Sequence, residues 1–393
     1  MARRGGGARA REATPVADPA AERDREMMRR ALHLGRRGWG KVAPNPLVGA
    51  VVARGDRIVG EGHHAAFGGE HAEVVALRKA GERATGATLY AALEPCDHWG
   101  KTPPCTEAIR QAGIRRVVYA CRDPDSRSGH GADRLREAGL EVVGGVGARA
   151  AARLNAPFLW RHTEAGQRAP FVAVKLALSL DARIAAAART RSEVTGQAAW
   201  AAVHRLRAGY EAVMIGSGTL GADDPLLTPR GRRRARRPPV RVVLDSALRH
   251  VPDSRLAGSV GEGPVWAFAA RGVEGSSRAR LEEAGLRVYE VPAAPEEGVE
   301  LGSVLEHLAR EGVGSILVEG GGRLATALLR GGHVHRLYLI LAPLLYGPRG
   351  IEAFPGAEPS ARGSWEVVGR RALSQDTLLV LDRASLMREL GVG

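Results

Sequence analysis

From Asn45 to Gly144, short apolar runs alternate with stretches of helical spacing, and the alternation restarts at Phe171 and continues to Pro343. No other feature constrains the fold as much. Strands separated by helices pair in one sheet when the helices cover its faces, so the pattern predicts an α/β protein. In the first half, EMMRRALHLGRRG (from Glu26), HAEVVALRKAGERA, CTEAIRQAG and ADRLREAGL read as helices. NPLVGAVVARGDRIVGEGHH reads as two strands around an Arg-Gly-Asp-Arg turn, with ATLYAAL, IRRVVYACR and EVVGGV as further strands. In the second half FVAVKLALSLD, YEAVMIGSGT, VRVVLDS, GPVWAFAA, RVYEVP, SILVEG and VHRLYLILAP are strand-like. QAAWAAVHRLRAG, SRARLEEAG, LGSVLEHLAREG and GRLATALLRGG are helix-like.

These runs divide the chain into a flexible tail at 1–23, a first domain at 24–148, a linker at 149–167 ending in the polar RHTEAGQ, and a second domain at 168–390. A chain of 393 residues is long enough for two or three cores. The 44% hydrophobic and 25% charged content is that of a soluble protein; no apolar run approaches a membrane span and the N-terminus has no secretory h-region. Three cysteines, an odd number, do not suit a secreted disulfide framework, so the expected compartment is the cytoplasm. The net charge of +14 is carried almost wholly by scattered arginine, Lys41, Lys79, Lys101 and Lys175 being the only lysines. Without a concentrated basic face, neither nucleic acid nor a membrane is the expected partner. The charge suits a phosphorylated small molecule, and the run at 232–237 reads as a solvated loop. A homo-oligomer is expected.

Two of the three cysteines stand in LEPCDHWGKTPPC (93–105), downstream of His-Ala-Glu at 71–73. His71, Cys96 and Cys105 form a His/Cys/Cys set that leaves one tetrahedral zinc position for water. Zinc lowers that water's pKa to about 7, and Glu73, itself not a ligand, is placed to carry protons. HAE opens one helix and Pro103-Pro104 sets Cys105 at the start of another, where unpaired N–H groups favour a thiolate. Residues i and i+2 of a regular helix point to different sides, so His71 must lie in an irregular first turn for both to reach one metal. A structural zinc site would need a fourth ligand, for which Cys121 is the spare cysteine; at the end of an apolar strand it reads better as core.

H-A-E followed by P-C and a second Cys resembles the zinc cytidine-deaminase superfamily. The eight-residue spacing between the cysteines, with PNPLVG at 44–49 and GEGHH at 60–64, resembles the bifunctional deaminase–reductase family of riboflavin biosynthesis. The resemblance implies a three-layer cytidine-deaminase-like domain followed by a dihydrofolate-reductase-like α/β domain. It implies hydrolytic loss of the 2-amino group from 2,5-diamino-6-(5-phosphoribosylamino)pyrimidin-4-one, with Asn45, His64, Lys101 and Asp123 as substrate contacts and Lys101 on the ribose phosphate.

In the second half, SILVEGGGRLATALL runs strand, glycine turn, helix, a form that suits a dinucleotide phosphate. With GSGTLGADDPLLT and VRVVLDS it resembles the reductase half of the same family. That resemblance implies NADPH surrounded by Ala177, Thr219, Asp223, Ser246, Gly321, Gly322, Arg323, Leu324, Ala325, Thr326 and Ala327. It implies a substrate held by Arg207, Leu227, Arg230 and Glu319, with the two arginines as phosphate ligands and hydride delivered to the ribosyl carbon. The chain also departs from the family pattern: Ala182 and Arg189 replace glycines, Arg191 a serine, Glu193 a tryptophan and Leu344 a lysine. A deaminase with an impaired reductase domain, a nucleic-acid deaminase and a zinc-bearing binding module are the alternative readings.

Overall fold

The computed structural model describes residues 18–100, 103–187, 192–231, 235–295, 298–357 and 361–392. The first half contains α1 (Pro19–Gly35), β1 (Gly49–Arg54), β2 (Arg57–His63), α2 (Ala72–Ala80), β3 (Thr88–Leu93), α3 (Cys105–Gln111), β4 (Arg116–Cys121), α4 (Gly131–Glu137) and β5 (Glu141–Gly144). Its sheet has the order β2-β1-β3-β4-β5. β1 is antiparallel to both neighbours, whereas β3, β4 and β5 are parallel, as their helical crossovers require.

The helix α1 starts well before the expected Glu26. Asp18 caps it by accepting from the Ala20 N–H and Pro19 occupies the first turn, so residues 19–23 are helix and not tail. A buried ion pair then ties the helix to the sheet: the Asp24 carboxylate accepts from Arg116 at 2.8 Å on each oxygen and from the Tyr90 hydroxyl at 2.9 Å.

The stretch at 149–167, expected as a linker, is helical: α5 (Ala148–Leu154), α6 (Ala156–Arg161) and α7 (Glu164–Arg168). Ala151, Ala152, Ala156 and Trp160 are buried in a core that runs from β1, β3 and β4 across to Phe171, Tyr210 and Tyr338 of the second half. Helical alanines on one face supply that contact, and the polar RHTEAGQ forms only the exit.

The second half contains β6 (Phe171–Leu178), β7 (Arg183–Ala185), α8 (Gln197–Arg207), β8 (Ala212–Gly216), α9 (Ser217–Asp223), β9 (Val240–Leu244), β10 (Val265–Ala270), α10 (Gly275–Glu283), β11 (Arg287–Val291), α11 (Leu301–Arg310), β12 (Ser315–Glu319), α12 (Gly322–Arg330) and β13 (Arg336–Leu341). It ends in β14 (Ile351–Glu352), β15 (Trp365–Leu373), β16 (Asp376–Arg383) and α13 (Leu386–Glu389). Nine strands form one sheet in the order β11-β10-β9-β8-β12-β6-β13-β16-β15, parallel from β11 to β13 and closed by the antiparallel pair β16 and β15. That final hairpin has no counterpart in the sequence reading. β15 lies on the sheet edge, largely exposed, and its charged residues give no apolar run to recognise.

Parallel strands aim their carboxyl ends the same way, and connecting loops at that edge are where α/β sheets bind ligands. No helix among the described residues is long and apolar enough to cross a membrane.

Candidate functional site

In the first half, His71 is the N-cap of α2, with extended backbone (φ −71°, ψ 155°). The geometric condition on the i and i+2 pair is therefore met: His71 turns away from the helix, while Glu73 sits in its first turn. Cys105 opens α3 behind Pro104, and Cys96 lies in the loop after β3. The His71 Nδ1 is 3.2 Å from the Cys105 Sγ and 3.4 Å from the Cys96 Sγ, and all three donor atoms lie within 4.8 Å of one another. Zinc with bonds of about 2.0–2.3 Å needs tetrahedral donors separated by roughly 3.5 Å, so this set fits the ion. Among the described residues it is the one His/Cys/Asp/Glu group with metal-holding geometry.

The hydrogen bond from Cys105 and, against the effect of burial, that from His71 pull the Cys96 thiol down to about 4. Cys105 is pushed up by donating to Cys96 and by its own burial. Cys121 takes no part: its thiol donates to the Ala148 carbonyl at 3.2 Å and burial pushes it up to about 11. All three cysteines are free. Glu73 is 4% exposed, and burial raises its carboxyl to about 7. A carboxyl poised near neutrality both takes and gives a proton.

His64 and Asn45 stand beside this set. The His64 Nδ1 lies 3.0 Å from the Glu70 carbonyl, which only accepts, so the proton is on Nδ1 and Nε2 accepts from the Asn45 amide at 3.3 Å. The Asn45 NH2 is thereby committed, and its Oδ1 is the end left for a ligand. The His64 ring meets the His71 ring edge-on at 5.8 Å, and burial keeps His64 below its ordinary range. Asp123 is more committed than expected of a substrate contact: its two oxygens accept from the Asp125 N–H at 3.0 Å and the Ser128 hydroxyl at 2.7 Å. Glu94, buried, holds that loop by accepting from the Asp123 and Ala132 amides. Lys101 lies outside the described residues.

In the second half, the cofactor candidates line the carboxyl ends of β8, β9, β12 and β6. Gly320, at φ 153°, turns the chain after β12, and a Cβ there would lie 2.8 Å from the Thr219 Oγ1. That hydroxyl accepts from the Gly321 N–H at 2.9 Å. Gly321 caps α12, whose first turns carry Gly322, Arg323, Leu324, Ala325, Thr326 and Ala327. The Thr326 Oγ1 is buried with no hydrogen-bond partner. The first-turn N–H groups of α12 behind a bare glycine turn, with the orphaned Thr326 hydroxyl close by in sequence, fit a dinucleotide phosphate. Ala177 and Lys175 are two apart on β6 and share a face. Ser246 follows β9, two strands from β12 and so about 10 Å away. It lines an open cleft of about 580 Å³ that also carries Arg249, Arg271 and Arg280.

Glu319, at the end of β12, is paired with Arg207 of α8. Arg207 also donates to the Thr228 carbonyl, so its fork is held by protein groups in this structure. Burial pushes the Glu319 carboxyl up, but Arg207 and then Lys175 outweigh it and leave it below the ordinary range. Lys175, opposite Glu319 in the strand pairing, was missed in the sequence reading. Its burial lowers the ammonium pKa, opposed by Glu319 and Asp223. The available signal was a lysine inside the apolar run FVAVKLAL of a chain with four lysines. His204 was missed too; its Nδ1 accepts from the Arg230 N–H at 3.2 Å. Leu227 is buried beside them, at φ 58°.

Of the departures, Ala182 adopts φ 55°, the left-handed backbone a glycine would hold without strain. Glu193 is exposed, and the Leu344 carbonyl accepts from the Leu180 N–H at 2.9 Å. Arg189 and Arg191 lie outside the described residues.

Known proteins match both halves. Residues 21–121 match the family model for the cytidine and deoxycytidylate deaminase zinc-binding region, and residues 170–379 match that for the RibD C-terminal domain. The riboflavin biosynthesis protein RibD of Bacillus amyloliquefaciens is 39% identical over 321 residues, covering 81% of this chain and 84% of its own. That of Escherichia coli is 39% identical over 352 residues, covering 86% and 93%. Among solved structures, Acinetobacter baumannii RibD superposes with a TM-score of 0.77 at 34% identity, over 92% of this chain and 99% of its own. A Thermotoga maritima diaminohydroxyphosphoribosylaminopyrimidine deaminase/5-amino-6-(5-phosphoribosylamino)uracil reductase does so at 0.75 and 31%, over 93% and 99%. Relatives this similar, aligned through both halves and across the packed seam between them, establish that the chain belongs to the RibD family of riboflavin biosynthesis proteins.

Proposed function

We propose that the amino-terminal half hydrolytically removes the 2-amino group of 2,5-diamino-6-(5-phosphoribosylamino)pyrimidin-4-one. The carboxyl-terminal half then reduces the ribosyl chain of the deaminated product, 5-amino-6-(5-phosphoribosylamino)uracil, with NADPH. The observation that carries the reading is Glu73, a buried carboxyl at about 7, two residues from His71 in a His/Cys/Cys set. When bound, zinc supplies a Lewis acid that makes water nucleophilic near neutral pH. Glu73 takes one proton from the attacking water and gives it to the ring nitrogen, then carries the second from the added hydroxyl to the amine, which departs as ammonia. Asn45, held by His64, offers Oδ1 to a substrate N–H. Asp123 closes the same side through its loop, and Lys101 takes the phosphate.

In the second half NADPH supplies the hydride when bound. The Gly320–Gly322 turn, Thr219 and the start of α12 hold its phosphates, Ala177 and Asp223 stand by the nicotinamide end, and Ser246 by the adenosine end. Arg249 and Arg271, in the cleft with Ser246, supply positive charge for the additional phosphate that distinguishes NADPH from NADH. Lys175, Glu319 and Arg207 form the polar floor under the ribosyl chain, with Leu227 and Arg230 at its side. Arginines spread over both halves in pairs with acids, such as Arg30 with Glu61 and Arg278 with Glu290, support a small-molecule partner over nucleic acid. A cytoplasmic homo-oligomer completes the reading.

A second reading, an active deaminase with a weakened reductase, is favoured by Ala182 at φ 55°, a strain of about 1 kcal/mol beside the second site. One experiment tests both. The purified protein is incubated with the diaminopyrimidine phosphate, with and without NADPH, and the products are identified by mass. Deamination without NADPH and reduction with it support the first reading; deamination alone supports the second; no conversion by zinc-loaded protein refutes both.

A further inference from the structure

Asn45 belongs to no helix or strand. It lies in the stretch from Trp39 to Val48, and its N–H is tied only locally, to the Val42 carbonyl at 2.9 Å. What holds this stretch comes largely from elsewhere in the chain. Asn155 of the helical seam accepts from the Leu47 N–H at 2.7 Å and donates to its carbonyl at 3.2 Å. The Trp39 indole donates to the Arg205 carbonyl of α8 at 2.7 Å, and its ring lies against Gly209, where a Cβ would come within 2.0 Å of it.

Further support comes from Arg236, in the arginine-rich loop of the second half. Its backbone N–H donates to the Gly40 carbonyl at 2.8 Å, and its Nη2 donates to the Ala43 carbonyl at 3.1 Å. Its guanidinium also lies over the Phe67 ring, 4.3 Å from the centroid. Phe67 in turn donates its N–H to the Lys41 carbonyl at 3.1 Å. One side chain thus ties the 40–43 stretch, two residues before Asn45, to Phe67, three residues after His64. A planar guanidinium covers a ring with its face while donating from its edge, which an ammonium does less completely. Arg236 is exposed, so it adds little to either core. The same loop begins at Arg230, bound to His204 in the second site.

We infer that Arg236 is a positioning residue for deamination: the reductase half reaches across to hold the 40–45 loop, and through it Asn45, in the geometry the substrate needs. The inference rests on the reading of Asn45 as a substrate contact. It assigns to Arg236 a task other than that of a solvated loop residue.

The test uses the full-length, zinc-loaded protein as wild type, Arg236→Ala and Arg236→Lys. Steady-state deamination of the diaminopyrimidine phosphate, zinc content, and hydrogen exchange of the amides at 40–48 are measured on each. Arg236→Ala is expected to raise KM about tenfold with kcat changed less than about twofold, the pattern of lost substrate alignment without lost chemistry. Zinc should stay at one per chain, exchange should quicken at 40–48 and not in β1 or β3, and Arg236→Lys should recover part of the KM. Unchanged KM, or a raised KM with unchanged exchange, overturns the inference, as does loss of zinc or an equal fall in kcat. If the wild type holds zinc but does not turn over this substrate, the functional reading fails by itself. The exchange comparison then still decides whether Arg236 holds the loop: unchanged exchange refutes it, and faster exchange at 40–48 alone supports it.

Discussion

Arg207 and Glu319 form a buried two-pronged ion pair, Nε to Oε1 at 2.6 Å and Nη2 to Oε2 at 2.9 Å, with both side chains less than a tenth exposed. The pair joins α8 to the end of β12 at the point where the second site begins. Its charges serve each other first, with Lys175 opposite Glu319 on the neighbouring strand β6.

Removing one partner strands the other in a dry site. Arg207→Met is expected to cost about 3–5 kcal/mol in urea unfolding, because Glu319 keeps a buried charge without its partner. The double variant Arg207→Met/Glu319→Leu should recover most of that loss. A single variant as stable as the wild type would show that Lys175 alone satisfies Glu319.

Glu73→Gln keeps the shape of the side chain and removes its ability to move a proton. Zinc content and melting temperature should stay at wild-type values while deamination falls by about 10²–10⁴-fold. NADPH oxidation with the already deaminated substrate should be unaffected, since Glu73 belongs to the other half. Near wild-type deamination would remove Glu73 from the mechanism.

The three cysteines should separate cleanly by metal analysis. Cys96→Ser and Cys105→Ser are expected to lose the zinc, whereas Cys121→Ser retains one zinc per chain, because its thiol faces the Ala148 carbonyl and not the cluster. Loss of metal from Cys121→Ser would mean that the set has a fourth protein ligand.

His335 predicts a pH dependence of stability. The ring is buried, stacked on Phe171 at 5.0 Å and packed against Trp160 at 4.0 Å, and its Nδ1 accepts from the Val172 N–H at 3.0 Å. Burial, with Arg383 next, depresses its pKa from 6.5 to about 3. A base depressed by folding contributes stability that is complete above the unfolded pKa and lost as pH falls towards the folded one, here between about 6.5 and 3. By linkage, the loss from this ring between pH 7.5 and 5 is on the order of 2 kcal/mol. His335→Gln, which still offers an acceptor to Val172, should flatten that part of the stability curve. An equal slope in both proteins would mean that other groups carry the acid sensitivity.

Much of the first site was legible because its residues are positioned by local rules. A proline pair starts α3 at Cys105, a polar entry makes His71 the cap of α2, and an apolar strand delivers Cys96 just beyond its end. The two sheets were legible for the same reason, since a period of two or of 3.6 is written residue by residue. The edge strand β15 was not, because an exposed edge strand is selected by what it pairs with.

Local sequence carries the His71, Cys96 and Cys105 set, Glu73 in the first turn of α2, the glycine turn before α12 and the alternation of strands and helices, because each is placed by neighbours a few residues apart. Only the tertiary structure decided that 149–167 is a packed seam, that Arg207 is spent on Glu319, that Lys175 faces that pair, and that Arg236 reaches Ala43 across 193 positions of chain. Such contacts join residues whose own surroundings in sequence do not reveal a partner. A buried charge or a bridging arginine acquires its role only when folding removes water and sets the two groups at hydrogen-bonding distance.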